Sequence, residues 1–166
     1  MKTTNRLTLT LTLALLLAPL GYAQKIEFKL EGLASKAAEK AELDLDPSLI
    51  SKLMEGGKLA NVAPASAKDV RIRNYKFAKE GEYTEKDLDS VRKQLGEGSG
   101  WSRFLNVKEK KETVEMYLYK EGDQIRAFVL IACQPLEVSV VYVAGEMTPE
   151  QLKALVSSRI QYEGTP

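Results

Sequence analysis

Trp101 is the single tryptophan of this 166-residue chain, and it stands in the run GEGSGWSRF (96–104), with three glycines before it and Arg103 two residues after. An indole beside a guanidinium on a glycine-rich loop could hold a ligand by stacking and charge; the same ring directly after a flexible hinge could instead plug a core. Phosphate-binding glycine loops follow a strand and open a helix, so that helix amides meet the phosphate. Here the glycines close a helical pattern and open a strand-like one, and no Lys-Ser/Thr pair follows. Phosphate binding is therefore rejected, and Trp101 is expected mainly as a core residue, since tryptophan is highly buried on average.

Three other groups could do chemistry. Tyr117 and Tyr119 alternate in VEMYLY, with Lys108, Lys110, Lys111 and Lys120 nearby, which could make an aromatic and basic sheet face or ordinary cross-strand pairs under helices. Glu42, Asp44 and Asp46 recur at every second residue, about 6.5–7 Å apart along one strand face. A cation site needs further oxygen ligands from a loop, and no D-x-D-x-D-G loop is present, so these acids read as a solvated face and no metal is expected. Cys133, in FVLIAC, is the only cysteine; apolar burial raises a thiol pKa, so it reads as a small hydrophobe. Trp101, Arg103, Tyr117 and Tyr119 remain as contact candidates.

Histidine is absent altogether. That removes Ser-His-Asp and Cys-His machinery, His-ligated zinc and an imidazole switch near neutral pH. With no nucleophile–base pair visible, no catalytic residue, cofactor or enzyme activity is expected.

The first residues read as an export signal. Lys2 and Arg6 precede the apolar run Leu7–Leu20, and GYAQ places Gly21 and Ala23 at −3 and −1, so cleavage between Ala23 and Gln24 is expected. The apolar run is shorter than the ~20 residues a spanning helix needs. No cysteine follows the cleavage site, so the mature chain is not expected to be a lipoprotein, and periplasmic or secreted protein is the expectation. Residues 24–166 then carry 22 Lys and Arg against 23 Asp and Glu, which gives no electrostatic footprint for nucleic acid. That length suits one domain with a core that needs no disulfide.

The elements that must position these groups follow from pattern. EGLASKAAEKA (31–41) has good helix formers, and AELDLD (41–46) alternates as a half-buried strand. Asp46-Pro47 opens a helix carrying Leu49, Ile50, Leu53 and Met54, and residues 60–69 read as a loop. In VRIRNYKFA (70–78) the apolar positions change parity, from Val70 and Ile72 to Tyr75 and Phe77, which predicts a bulge near Arg73-Asn74. Thr84 and Asp87 suit a capping box for a helix with Leu88, Val91 and Leu95 inward, stopped by Gly96. A meander of strands follows at about 102–109, 113–120, 124–133 and 136–144, with Thr148 and Pro149 opening a last helix that turns Leu152, Leu155 and Val156 inward, before a frayed QYEGTP end. The order predicts an α+β domain: a largely antiparallel sheet of about five to six strands with helices packed on one face.

YTEKDLDSVRKQL (83–95), GWSRFLNVKEKK (100–111), VEMYLYKEGDQI (114–125) and IACQPLEVSVVYVAGEM (131–147) together resemble the exported bacterial family catalogued as domain of unknown function 4252. The resemblance covers nearly all of residues 24–166 and is most specific at Asp87-Leu88, Val91-Arg92 and Gln94-Leu95 leading into Gly100-Trp101-Ser102-Arg103. It implies a small envelope or secreted α+β domain in a family that includes lipoproteins and members encoded beside a sigma factor and its anti-sigma partner, and it carries no functional residue over. This chain departs from it in lacking a cysteine after the signal, and in having Arg126-Ala127 where relatives tend to have small residues. Two expectations follow. The first is a non-enzymatic envelope protein that binds a protein partner, in signalling or stress control. The second is a carrier of an apolar small molecule between sheet and helices.

Overall fold

The structure, a computed structural model, describes residues 26–58 and 63–160. The expected signal with its Ala23/Gln24 cleavage point and the expected fraying of QYEGTP lie outside the described residues, as does part of the 60–69 loop.

Among the described residues, eleven short elements follow the segment 26–30: α1 (Glu31–Lys36), β1 (Glu39–Leu45), α2 (Pro47–Glu55), β2 (Ala67–Lys76), a 3-10 turn (Glu85–Leu88) continuing into α3 (Asp89–Gln94), β3 (Trp101–Glu109), β4 (Glu112–Glu121), β5 (Gln124–Gln134), β6 (Glu137–Met147) and α4 (Pro149–Ile160). The six strands form one sheet in the order β1-β2-β6-β5-β4-β3, antiparallel at every step. The α+β class and the antiparallel meander are thus as the sequence predicts.

Local chemistry sets the boundaries. The Asp46 carboxylate caps α2 by accepting from the N–H of Ser48 and Leu49, both at 2.9 Å, with Pro47 at the first helical position. Asp87 accepts from the Thr84 N–H at 2.8 Å, the reciprocal half of the expected capping box. Thr148 and Gln151 exchange the same pair of bonds at the start of α4, at 2.9 and 3.3 Å. Because β2 and β3 run the same way, the chain between them must cross over the sheet, and α3 is carried on that crossover. Gly145 sits where β2 bulges against it: a Cβ there would come within 2.6 Å of the Ser66 carbonyl oxygen and 2.8 Å of the Ala67 Cα.

Two expectations are corrected. The helices do not pack on one face. Along β6, Val138, Val140 and Tyr142 join a core with Leu30, Leu33, Leu88, Val91 and Leu95, which is the face of α1 and α3. Val141 and Val143, pointing the other way, join a second core with Ile50 of α2 and Leu152 of α4. Burial of the Leu155 and Val156 side chains lies outside what the structure describes.

The second correction follows from the first. Val70 and Ile72 face the α2 side while Tyr75 and Phe77 face the α3 side in unbroken alternation, and register shifts instead between Ala67 and Asp69. A strand covered on both faces shows apolar residues at both parities without any bulge. β1 is also less buried than its alternation suggests, since it is an edge strand in which only Leu45 is buried and Leu43 is 44% exposed.

Candidate functional site

Three of the four contact candidates, the aromatic ones, join the core on the α3 face. Trp101 begins β3 opposite Tyr119, its ring centroid 5.6 Å from that of Tyr119 and 6.4 Å from that of Tyr142, and it is 6% exposed. Gly100 makes this possible: its φ is +82°, and Tyr119 covers it so closely that a Cβ would lie 2.8 Å from the ring. The indole Nε1 is buried and has no acceptor among the described residues. Tyr117 is buried as well, whereas Arg103, opposite Tyr117 in register, is exposed on the sheet's edge. Arg103 thus shares the sheet face of the three rings and its charge acts on the Tyr117 hydroxyl, but it sits at the exposed edge while the rings lie in or against the core.

Beneath α3 lies a polar cluster that the sequence patterns did not single out. Glu115, on the same face of β4 as Tyr117, is 7% exposed, accepts the Tyr117 hydroxyl at 2.6 Å and pairs with Arg92 of α3 at 2.6 Å. Arg92 also bonds the Glu85 carboxylate and donates to the Glu85 carbonyl at 3.3 Å. Burial and then the bond to Glu115 push the Tyr117 phenol up to about 12. Burial tends to lower the Arg92 pKa, but its bonds to Glu115 and Glu85 raise it on balance. Cys133 belongs to the same core, and burial, aided by the Glu85 charge, pushes its thiol up to about 12. A thiol so placed is protonated at neutral pH and is no nucleophile. The only sequence trace of this cluster is Glu115 itself, a lone acid between two apolar positions of an otherwise inward-facing strand.

The acidic row of β1 is likewise engaged. Glu42 accepts the Tyr75 hydroxyl at 2.9 Å, Asp44 pairs with Arg73 at 2.7 Å, and Asp46 is the α2 cap. Burial and that bond to Glu42 raise the Tyr75 pKa. Among the described residues, no three acidic or cysteine side chains are grouped to hold a metal ion. No helix there is long and apolar enough to cross a membrane. A shallow depression of about 390 Å³ is lined by Glu80, Gly81, Tyr83, Thr84, Glu85, Lys111 and Pro135, with Lys111 paired to Glu80 at 3.1 Å.

The β3 edge offers more. Nine residues long, it is exposed along most of its length, and a register shift between Arg103 and Leu105 makes Phe104 the extra residue of a bulge, 57% exposed. Val107 is 37% exposed on the same strand. Arg103, Lys108 and the hairpin lysines Lys110 and Lys111 lie alongside. Such an edge has unpaired backbone groups able to accept another strand.

A six-stranded antiparallel sheet with helices on both faces and a largely buried Arg92–Glu115 pair defines a small α+β domain. The chain belongs to the family described as Domain of unknown function (DUF4252), which it matches over residues 44–155. A solved structure, a protein of unknown function, PA94, from Pseudomonas aeruginosa, described as a putative regulator, is similar over 77% of this chain and 81% of its own, with 14% identity and a TM-score of 0.35. No curated protein matches the sequence.

Proposed function

We propose that this is an exported, non-enzymatic protein of the cell envelope that acts by binding a protein partner along the β3 edge of its sheet. The observation behind this reading is the exposed strand itself, with Phe104 pushed out by a bulge at its middle. Edge strands are usually blunted by charge, as β1 is by Glu39, Glu42 and Asp44; β3 carries Arg103 and Lys108 too, but between them it exposes both Phe104 and Val107. Strand addition there would draw affinity from main-chain bonds and specificity from Phe104 and Val107. Export is supported by the Lys2/Arg6, Leu7–Leu20 and Gly21/Ala23 pattern. The apolar-carrier alternative draws no support from the depression beside Tyr83, whose lining includes Glu80, Glu85 and Lys111.

The test is photo-crosslinking in intact cells from a reactive residue at Phe104, with Leu43 on the opposite edge as control. A discrete protein adduct from position 104 and none from 43 supports the reading. Equal labelling from both positions, or none from 104, removes it. Mass spectrometry of the same protein should find the chain beginning at Gln24.

A further inference from the structure

Residues 26–30, just before α1, are held the way a groove holds a bound peptide. They cross the α3 face with alternating burial: Ile26 is 1% and Leu30 2% exposed, Phe28 packs edge-on against Tyr142 at 6.3 Å, and Glu27 and Lys29 are exposed, the Lys29 N–H closing a tight turn about Phe28 onto the Glu27 carbonyl at 3.1 Å. Side chains from elsewhere read the segment's backbone. The Gln94 amide accepts from the Glu27 N–H and donates to the Glu27 carbonyl, both at 2.8 Å, much as a neighbouring strand would. Ser90 donates to the Lys29 carbonyl at 2.6 Å, Arg71 donates to that of Ile26 at 3.4 Å, and the Arg73 guanidinium lies 5.3 Å over the Phe28 ring. Glu27 and Lys29 pair only with each other among the described ion pairs, at 2.8 Å, each side chain 67% exposed.

We infer that this groove is a recognition site for short segments with apolar residues at every second position and a tight turn at the middle one, and that residues 26–30 are its tethered, exchangeable occupant, which the like segment of a protein partner displaces. Three features carry this. The segment belongs to no strand of the sheet, so its release breaks no ladder bond. Its backbone is read by a side-chain amide, a hydroxyl and a guanidinium, contacts that depend on main-chain groups rather than on side-chain identity, while its outward residues Glu27 and Lys29 pair with each other at the surface. All the reading residues, Arg71, Arg73, Ser90, Gln94 and Tyr142, fall within the family-matched region 44–155, and the segment falls outside it. The groove shares none of these residues with the β3 edge, so the two proposals stand or fall separately.

The probe is a fluorescently labelled peptide, KIEFKL, the sequence of residues 25–30, titrated against the mature full chain and followed by anisotropy. The tethered copy competes at high effective concentration, so the wild type should bind weakly. Ile26→Ser, which weakens the tethered copy, should tighten peptide binding at least about tenfold, since a competitor that occupies the site lowers apparent affinity by its occupancy. Adding Gln94→Ala to Ile26→Ser should undo about tenfold of that gain, because two backbone bonds are lost. A peptide with serine in place of isoleucine and phenylalanine should not bind. Phe28→Ala, at a partly buried position, makes the same comparison should Ile26→Ser fail to unfold cooperatively. Absence of saturable binding to the folded weakened-segment variant, or equal binding of the serine peptide, overturns the inference.

Discussion

Arg92→Met tests whether the Arg92–Glu115 pair is what fastens α3 to the sheet. Glu115 has a side chain 9% exposed, and Arg92, 20% exposed, supplies its two cationic bonds, at 2.6 and 3.4 Å. Without Arg92 the carboxylate keeps only the Tyr117 hydroxyl at 2.6 Å, and an uncompensated buried charge of this kind costs about 3–5 kcal/mol. Arg92→Met with Glu115→Leu removes the charge as well. The double variant then loses chiefly the acceptor of Tyr117, about 1–3 kcal/mol for one unsatisfied buried hydroxyl. The double variant should therefore be more stable than Arg92→Met alone, and the cycle should fall short of additivity by at least about 2 kcal/mol. Guanidinium unfolding of the four proteins, followed by circular dichroism, gives all the terms. Additive losses, or an Arg92→Met cost below about 1 kcal/mol, would show that water rather than the arginine compensates Glu115, and the pinning argument would be wrong.

Further expectations bear on the rest of the α3 face and on the β2–β6 contact. Trp101→Ala should cost about 3–5 kcal/mol, as for other buried aromatics, while Trp101→Phe should cost under about 1.5 kcal/mol because it also removes an indole N–H that has no acceptor among the described residues; native emission already typical of indole in water would contradict both. Gly145→Ala should destabilise by about 1–3 kcal/mol, since the added methyl meets main-chain rather than side-chain atoms, and an unchanged melting temperature would refute the close approach. Stability should also fall in alkali. Burial raises Tyr83, Tyr117 and Tyr142 from 10.0, and Cys133 from 9.0, to about 12 in the folded chain. Their contribution is full below the unfolded values and is lost as pH rises through the folded ones. Tyrosinate absorbance should therefore rise together with loss of structure, and free tyrosine-like titration of the intact fold would count against it.

The meander was legible because its signals are local. Strand ends at Glu109/Glu112, Glu121/Gln124 and Gln134/Glu137 fall within a residue or two of the turns KKE, EGD and QP, and three helix starts carry their capping side chains in the sequence. α1 ended earlier than its alanine-rich sequence suggested, because Glu39–Ala41 pair with Asn74–Lys76, and sheet pairing overrides modest helix propensity. The number of cores was not local. Val70 and Ile72 against Tyr75 and Phe77 looked like a phase slip only on the assumption of one apolar face; with α2 on one side and α3 on the other, both parities are buried.

The same assumption hid the groove. Arg71 and Arg73 share the parity of Tyr75 and Phe77, so all four face the α3 side. What they meet is a segment forty-odd positions earlier in the chain: Arg71 reaches the Ile26 carbonyl and Arg73 lies over Phe28, while Gln94 and Ser90 approach from α3. Cations on an inward face become affordable when their heads find carbonyls, carboxylates and ring faces, here also Asp69 at 2.8 Å and Asp44 at 2.7 Å. The guanidinium groups themselves lie over rings, that of Arg71 5.6 Å from the Tyr142 centroid and that of Arg73 5.3 Å from that of Phe28. No spacing rule links IEFKL to VRIRNY, since each is an ordinary alternating stretch by itself. The recognition chemistry exists only in their juxtaposition: Trp101 and Tyr117, the aromatic residues singled out along the chain, lie in the core, while Gln94 and Ser90 of α3 bond the backbone of Glu27 and Lys29.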